Sequence, residues 1–170
     1  AGTGKTTLLK NIVENTHKSV VIVAPTGIAA LNAGGVTIHS MFQLPPSCFA
    51  PALTLEEGEI PFAIMPLKKV PREVSKMAGW KRQILRTMEL LVIDEVSMLR
   101  ADLLDAIDTA LRSIRRRKDL PFGGVQVLFI GDMLQLPPIV KKEEWNFLKQ
   151  YYQSMYFFDA LVLQTAPPLV

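Results

Sequence analysis

The amino terminus carries part of a phosphate-binding pattern. Gly4, Lys5 and Thr6 match the last three positions of G-x-x-x-x-G-K-[ST]. In such a loop glycine lets backbone N–H groups approach phosphate oxygens, the lysine adds a positive charge, and the hydroxyl suits Mg²⁺. The first glycine of the pattern would lie two residues before Ala1, so we expect the chain to be a fragment. Taken alone, the match also fits a glycine-rich turn that begins a surface helix.

Two adjacent carboxylates follow the apolar run at residues 90–93. This run is typical of a strand buried on both faces of a parallel sheet, and it would deliver Asp94 and Glu95 to the carboxyl edge of that sheet. Asp94 can then hold Mg²⁺, usually through water, and Glu95 can act as general base toward an attacking water. The alternative is a solvated pair that caps the next helix, but a phosphate loop in the same chain favours the nucleotide interpretation.

A third polar cluster follows the apolar run at residues 125–130. Its sequence, at residues 131–138, is GDMLQLPP. Gln135 lies in a turn held by Pro137 and Pro138, which would place a neutral amide where it can sense a γ-phosphate. An ordinary polar loop explains the spacing equally well.

The elements that must position these groups alternate between strand and helix. We predict strands at 19–24, 89–93 and 125–130. We predict helices at 5–14, 80–88, 101–117 and 143–152, with shorter helical turns at 28–31 and 37–42. This alternation predicts an α/β fold with a mostly parallel sheet and helices on both faces. Ligands should bind at the carboxyl ends of the strands, where the clusters at 25–27, 94–97 and 131–135 fall.

The segment 101–117 predicts the clearest amphipathic helix. One face is apolar, while Asp102 and Asp105 lie in the first turns, where the helix dipole favours acids. The basic run at its end we interpret as a solvated helix terminus rather than as a DNA-binding surface. That run comprises Arg112, Arg115, Arg116, Arg117 and Lys118.

The stretch 44–79 interrupts the alternation, and no periodicity survives in it. It predicts a long loop or a small subdomain inserted within one domain. Its prolines are Pro45, Pro46, Pro51, Pro61, Pro66 and Pro71.

The composition fits one globular domain. The chain has 170 residues, of which 49% are hydrophobic, and a net charge of +3, which excludes a disordered tail, a collagen-like repeat and a disulfide scaffold. This charge permits a nucleic-acid partner without requiring one. Cys48 is the only cysteine, which favours a reducing compartment. No apolar run reaches the roughly 18–20 residues of a membrane span, so we expect no membrane partner.

Five motifs, in this order, resemble the first RecA-like domain of the PIF family of superfamily 1 DNA helicases, which are relatives of the RecD helicases. They are AGTGKTT at 1–7, APTGIAA at 24–30, TIHS at 37–40, VIDEVSM at 92–98 and GDMLQLPP at 131–138. The resemblance covers nearly the whole chain and is weakest over 45–80. The strings DEVSM and GDxxQLPP distinguish this family from generic P-loop ATPases.

The resemblance implies a DNA helicase motor that hydrolyses ATP with Mg²⁺ and moves 5′ to 3′ on single-stranded DNA, in replication, recombination, repair or telomere maintenance. The implied nucleotide-binding residues are Gly2, Thr3, Gly4, Lys5, Thr6, Thr7, Asp94 and Gln135. Thr6 and Asp94 would hold the metal, and Lys5, Glu95 and Gln135 would serve catalysis. The residues implied to lie along the DNA are Pro25, Thr26, Gly27, Thr37, His39 and Ser40.

The resemblance also implies partners and further parts of the polypeptide. The DNA partners would be single strands and forks, and a wedge subdomain would occupy 44–79. A second RecA-like domain would supply an arginine finger, and the first strand of the sheet would be missing. We expect a monomer in the bacterial cytoplasm at the nucleoid, or in the nucleus or mitochondrion of a eukaryote. The isolated fragment should have low stability and almost no activity, because an arginine finger is worth about 10³–10⁵ in rate.

Some interpretations stay open at this point. His39 and Phe42 could stack on bases, although the residues alone favour a histidine bonded to backbone and a phenylalanine in the core. The chain could instead be a P-loop ATPase or kinase with a substrate other than nucleic acid. It could also be a non-catalytic fragment that binds nucleic acid.

Overall fold

The structure is a computed structural model that describes residues 4–52 and 62–170. Gly2 and Thr3, predicted to bind phosphate, lie outside these ranges, as do residues 53–61 of the proline-rich stretch. The strands of the described residues are β1 (Val20–Ala24), β2 (Val36–Thr37), β3 (Cys48–Ala50), β4 (Ile64–Pro66), β5 (Leu90–Ile93) and β6 (Gln126–Phe129). Their α-helices are α1 (Lys5–Asn15), α2 (Gly27–Ala33), α3 (Ile38–Phe42), α4 (Val70–Ser75), α5 (Gly79–Thr87), α6 (Ala101–Ile114), α7 (Lys142–Leu148) and α8 (Leu161–Thr165). None of these helices is both long and apolar enough to cross a lipid bilayer.

Four parallel strands form the main sheet, in the order β2-β1-β5-β6. β1 pairs with β5 from Val20 opposite Leu90 to Val23 opposite Ile93, and β6 pairs along the other side of β5. Because the four strands run in one direction, their carboxyl ends meet at a single edge of the sheet. The predicted α/β class and the three predicted strands are confirmed.

Helices cover both faces of this sheet, as predicted. Leu90 and Val92 of β5 pack with Leu9 of α1 on one face. Leu91 and Ile93, which alternate with them along the strand, belong to a larger core cluster that includes α6. β5 is therefore buried throughout, which explains its continuous apolar sequence.

Burial along the helix α6 extends beyond its apolar residues. Leu104 and Ile107 are fully buried, but Asp102 and Asp105 are also only 1% and 4% exposed. Both carboxylates accept hydrogen bonds from distant segments, which makes their burial possible. The predicted apolar face is confirmed, and the burial of the two acids is a feature that the sequence did not predict.

The end of α6 also departs from the prediction. The helix stops at Ile114, and Arg116 has a left-handed backbone with φ of 57°. Arg112 forms an ion pair within the helix, and Arg115 donates hydrogen bonds to four backbone carbonyls. The interpretation of the basic run as a solvated terminus is thus wrong for Arg112 and Arg115, whereas Arg116 and Arg117 are exposed.

The described residues of the stretch 44–79 contain short elements that the sequence did not predict. β3 and β4 form a separate parallel pair, and Cys48, Phe49 and Ala50 of β3 are fully buried. Both β3 and α4 pack against α6. Strands of three residues are too short to show an alternating pattern, which is why periodicity misses them. The wedge subdomain stays a prediction.

The position of Phe42 distinguishes between the two interpretations given for it, base stacking and core packing. Its side chain is fully buried at the end of α3, within the larger core cluster. A buried ring has no free face for a base, so the stacking interpretation is wrong for Phe42 and the core interpretation is confirmed.

Candidate active site

The loop before α1 places Lys5 at the carboxyl edge of the sheet. Gly4 precedes the helix with φ of 78°, a left-handed conformation that favours glycine. Its carbonyl accepts the first hydrogen bond of the helix from Leu8 N, at 2.8 Å. The unpaired N–H groups of the first turn and the positive end of the helix dipole therefore lie beside Lys5 and Thr6. An anion binds favourably at such a place.

Lys5 and Glu95 approach each other across this edge. Lys5 Nζ lies 3.7 Å from Glu95 Oε1, in an ion pair too long for a hydrogen bond. Within the described residues the buried Lys5 Nζ has no hydrogen-bond partner, so its N–H donors are available to a ligand. Because lysine carries a compact positive charge, the ligand that suits this position is a phosphate oxygen.

The turn after β5 holds the acidic pair in a specific conformation. Asp94 N donates to Val23 O at 2.9 Å, which extends the ladder between β5 and β1. Asp94 Oδ1 accepts a hydrogen bond from Glu95 N at 2.9 Å, which leaves Oδ2 for a ligand. Glu95 has φ of 53° and ψ of 46°, a left-handed backbone that costs a non-glycine residue about 1–3 kcal/mol. Strain of this kind is typical of functional sites.

One cavity of about 450 Å³ brings together residues from four segments that are distant in sequence. Of the predicted site residues, it is lined by Thr6, Thr26, Asp94, Glu95 and Gln135. Thr6 offers a hydroxyl and Asp94 a carboxylate, and these are hard oxygen ligands of the kind that Mg²⁺ prefers. This donor set, together with the unpartnered Lys5 Nζ, fits a nucleoside triphosphate bound with Mg²⁺.

Gln135 is held by the loop that follows β6. Asp132 accepts hydrogen bonds from Leu134 N at 3.0 Å and from Gln135 Nε2 at 3.4 Å. The loop packs closely on the turn at 96–98, since a β-carbon at Gly131 would lie 2.7 Å from Val96 Cγ2. Only glycine allows this contact. Gln135 lines the same cavity as Asp94 and Glu95.

Ser97 lies in the polar cluster predicted at 94–97, but it was not among the predicted site residues. It is 1% exposed, lines the same cavity, and its hydroxyl has no hydrogen-bond partner in the described part of the chain. A serine has no chemistry of its own without a base beside it, so residue type gave no signal. Its place in the string DEVSM was the available signal.

The residues that the resemblance places along DNA follow β1 and β2 at the same edge. Thr26 Oγ1 accepts a hydrogen bond from Ala29 N, and Thr37 Oγ1 accepts one from Ser40 N, both at 3.2 Å. Each hydroxyl thus caps a helix and keeps its own O–H as a donor. Thr26 also lines the cavity, so the two groups of predicted residues share one wall.

The remaining residues of this group lie outside the cavity. His39 is half-buried, and its Nδ1 lies 3.1 Å from Leu44 O. Pro25 is half-buried, whereas Gly27 and Ser40 are exposed. They therefore form an outer surface beside the cavity rather than part of its lining.

An exposed aromatic residue beside this surface was also not predicted. Lys81 Nζ donates to Ser40 O at 2.8 Å and lies 5.5 Å from the ring centroid of Trp80. Trp80 is 64% exposed at the start of α5. A tryptophan followed by a lysine was the signal in the sequence, because such pairs suit both the bases and the phosphates of a single strand.

The parallel sheet, the glycine-turned loop before α1 and the acidic pair after β5 define a P-loop nucleoside triphosphatase domain of the RecA-like type. A family model described as PIF1-like helicase matches residues 1–154. The chain therefore belongs to the PIF1-like helicase family.

Individual relatives agree with this family. The chain is 34% identical over 159 residues to the ATP-dependent DNA helicase RRM3 of Saccharomyces cerevisiae, covering 91% of this chain and 20% of that protein. Two solved structures of Pif1 helicases are each 45% identical to it. One shows two coordinating Pif1 helicases in unwinding at forked dsDNA (TM-score 0.82; 97% of this chain, 35% of that one). The other is a Bacteroides Pif1 helicase in complex with ADP-AlF3 and ssDNA (TM-score 0.80; 96% and 34%). The chain thus spans about a fifth of RRM3 and a third of each solved chain.

Proposed function

We propose that this chain is the ATP-hydrolysing part of an ATP-dependent DNA helicase that moves 5′ to 3′ on single-stranded DNA. The observation that carries the proposal is the convergence of Lys5, Thr6, Asp94, Glu95 and Gln135 around one edge of the sheet. Membership in the PIF1-like helicase family supports it, as does the relative solved with ADP-AlF3 and ssDNA.

The geometry suggests how the residues divide the work. Lys5, Gly4 and Thr7, with the predicted Gly2 and Thr3, bind the phosphates at the start of α1. Thr6 and Asp94 would hold Mg²⁺, which would neutralise charge on the phosphate oxygens. The phosphates compete with Glu95 for Lys5, and the freed Glu95 carboxylate accepts a proton from the attacking water. Gln135 contacts the γ-phosphate.

On the DNA side, we propose that the strand lies over the surface beside the cavity. The free O–H of Thr26 and Thr37 donates to phosphates, which positions a strand without reading its sequence. His39 and Ser40 belong to this surface. Trp80 lies beside it, since its neighbour Lys81 donates to Ser40 O, and the exposed Trp80 side chain suits stacking on a base. Because Thr26 belongs to both surfaces, it links nucleotide occupancy to the DNA strand.

The wider setting remains part of the proposal. A second RecA-like domain supplies an arginine finger, the substrate is a DNA fork, and the protein acts as a monomer in replication, recombination, repair or telomere maintenance. Forked dsDNA in one solved relative supports the substrate. For location we propose the bacterial cytoplasm at the nucleoid, and fluorescence microscopy of a tagged protein tests this.

The test is Glu95→Gln in the complete natural polypeptide, because the amide keeps the shape of the carboxylate but cannot accept the proton. We expect ATP turnover in the presence of single-stranded DNA to fall by at least about 10², while ATP binding persists and unwinding stops. Glu89→Gln is the matched control, since Glu89 is an exposed carboxylate at the opposite end of β5.

Two outcomes contradict the proposal. Turnover equal to that of the control would remove Glu95 as the base. Turnover that depends on Glu95 but does not respond to single-stranded DNA would favour a P-loop ATPase or kinase that acts on another substrate.

A further inference from the structure

Four guanidinium groups line a second cavity of about 450 Å³, far from the nucleotide site. Arg86, Arg115, Arg116 and Arg117 surround it together with Ile114. These residues lie at the ends of α5 and α6. The helix α5 ends just before β5 begins, and α6 runs back from the carboxyl edge of the sheet. The cavity between their ends therefore lies at the amino-terminal edge of the sheet. It is therefore separate from the candidate active site, which occupies the opposite edge.

Two of these arginines are fixed by neutral acceptors. Arg115 donates from Nε to Gly123 O at 2.9 Å and from Nη1 to Met88 O at 3.0 Å. Arg86 Nε donates to Ile114 O at 3.1 Å, so the ends of α5 and α6 hold each other. Carbonyl oxygens orient a guanidinium but leave its positive charge uncompensated.

Two glycines provide room for the side chains. A β-carbon at Gly123 would lie 2.9 Å from Arg115 Cδ, and one at Gly124 would lie 3.1 Å from Arg117 Nη1. Both glycines have a positive φ, of 61° and 80°. Arg115 and Arg117 therefore pack directly on the backbone, which preorganises their positions.

The positive charge of the arginines around this second cavity is not balanced by nearby carboxylates in the part of the chain that the structure describes. In the described ranges, none of the four arginines forms an ion pair with a carboxylate. The acids nearest in sequence are Glu89, which accepts a hydrogen bond from a backbone N–H, and Asp119, which is exposed. Burial lowers the pKa of Arg115, and the positive charge of Arg117 lowers it further. Like charges held together in this way favour an anionic ligand.

We propose that this arginine cluster, formed by Arg86, Arg115, Arg116 and Arg117, binds the phosphate backbone of duplex DNA. A planar guanidinium pairs with two phosphate oxygens at once, which suits arginine better than lysine. Among the residues that the structure describes, none of those lining this cavity is aromatic, whereas sites for single strands use aromatic rings to stack bases. The contact therefore goes to the backbone and is independent of sequence.

The proposal goes beyond the proposed function, because it adds a second DNA surface that hydrolysis does not need. It rests on the proposed function in one respect, which is that the proposed function identifies DNA as the anionic ligand. The backbone of Arg116 supports it: a left-handed φ of 57° is unfavourable for arginine, and it leaves the side chain exposed beside Arg117.

The test measures duplex binding by the complete natural polypeptide at several salt concentrations. The single-strand surface is first saturated with unlabelled oligothymidylate, and the probe is a short fluorescent duplex. The variant is Arg116→Ala/Arg117→Ala, which spares the two arginines that hold the helix ends together. We expect weaker binding at low salt, and a plot of log K against log salt that is shallower by about 0.9 for each phosphate that the protein no longer neutralises.

Two control variants isolate the effect. Arg72→Ala/Lys149→Ala removes two exposed positive charges elsewhere and should leave the salt slope unchanged. Arg116→Lys/Arg117→Lys keeps the charge and should retain most of the slope, which separates the removal of charge from misfolding. ATP turnover stimulated by single-stranded DNA should be the same in all variants, so this result is independent of the proposed function.

Other outcomes overturn the proposal. The cluster does not bind duplex DNA if the alanine variant keeps the wild-type affinity and salt slope. If that variant loses binding to polyglutamate but keeps binding to the duplex, the surface is a docking site for an acidic protein segment.

Discussion

Two groups of acidic residues lie close together in the sequence but have different roles, one at the candidate active site and one in the core. Asp94 and Glu95 end β5 at the cavity, and both are partly exposed. Asp102, Asp105 and Asp108 lie on α6 and are buried to 8% exposure or less. The difference between the groups lies in how their oxygens are used.

The acids of α6 use their oxygens to bind distant backbone. Asp105 accepts hydrogen bonds from Tyr152 Oη and from Val162 N, both at 2.9 Å. Asp102 accepts one from Phe49 N at 2.9 Å and forms an ion pair with Arg100. These carboxylates connect β3 and the start of α8 to the central helix.

Asp108 does the same at the other end of α6. It accepts hydrogen bonds from Phe122 N at 2.6 Å and from Arg112 Nε at 2.8 Å. Burial raises the pKa of Asp108 and of Asp105, although the surrounding donors oppose the shift. By contrast, among the described residues Glu95 forms one long ion pair, to Lys5. Acids with saturated oxygens support the fold, and acids with free oxygens are available to a ligand.

The largest expected effect is that of Asp105→Ala. It leaves the hydroxyl of Tyr152 and the N–H groups of Leu161 and Val162 buried without an acceptor, so the free energy of unfolding should fall by about 3 kcal/mol or more. Asp94→Ala, the matched change in the cavity pair, should lower it by less than about 1 kcal/mol. Urea denaturation of both variants measures this, and equal losses would break the comparison.

A pH series sharpens the contrast between the two groups. Because burial raises the pKa of Asp105 above its ordinary 3.8, the folded state keeps a proton that the unfolded chain has already lost. The stabilisation from that proton is complete below pH 3.8 and declines as the pH rises through the raised value. The unfolding free energy of wild type minus that of Asp105→Asn should therefore fall with rising pH, by at most about 1.4 kcal/mol per unit. A difference that grows with pH would contradict this prediction.

The smallest expected effect concerns Ser97. Its buried hydroxyl has no partner among the described residues, so Ser97→Ala should raise the free energy of unfolding by about 1 kcal/mol. Ser75→Ala is the control, because the Ser75 hydroxyl donates to Arg72 O at 2.7 Å and its loss should not stabilise the protein. Urea denaturation of the nucleotide-free protein measures both, and a less stable Ser97→Ala would show that the hydroxyl has a partner.

The two acidic groups also differ in how far the sequence could predict them. The strand before Asp94 and Glu95 is a continuous apolar run, so the sheet and the position of the pair follow from local pattern. The burial of Asp102 and Asp105 depends on donors from Phe49 and Val162, which are distant in the chain. No local pattern contains that information, so the sequence predicts the apolar face of α6 but not the burial of its acids.

The same limit applies at the site itself. Lys5 and Glu95 were predictable because loop and strand motifs specify residue types at fixed spacing. The exposed face of Trp80 and the partnerless hydroxyl of Ser97 are properties of the packed protein, as its described residues show. Which side of a residue faces solvent is decided only when the elements assemble.

The capping of α2 by Thr26 has a mechanical consequence. The helix has seven residues, so it is about 10 Å long, and its first turn is tied to a side chain that lines the nucleotide cavity. Its far end leads through Gly34 and Gly35 into β2, so one short helix joins the wall of the cavity to the edge strand of the sheet.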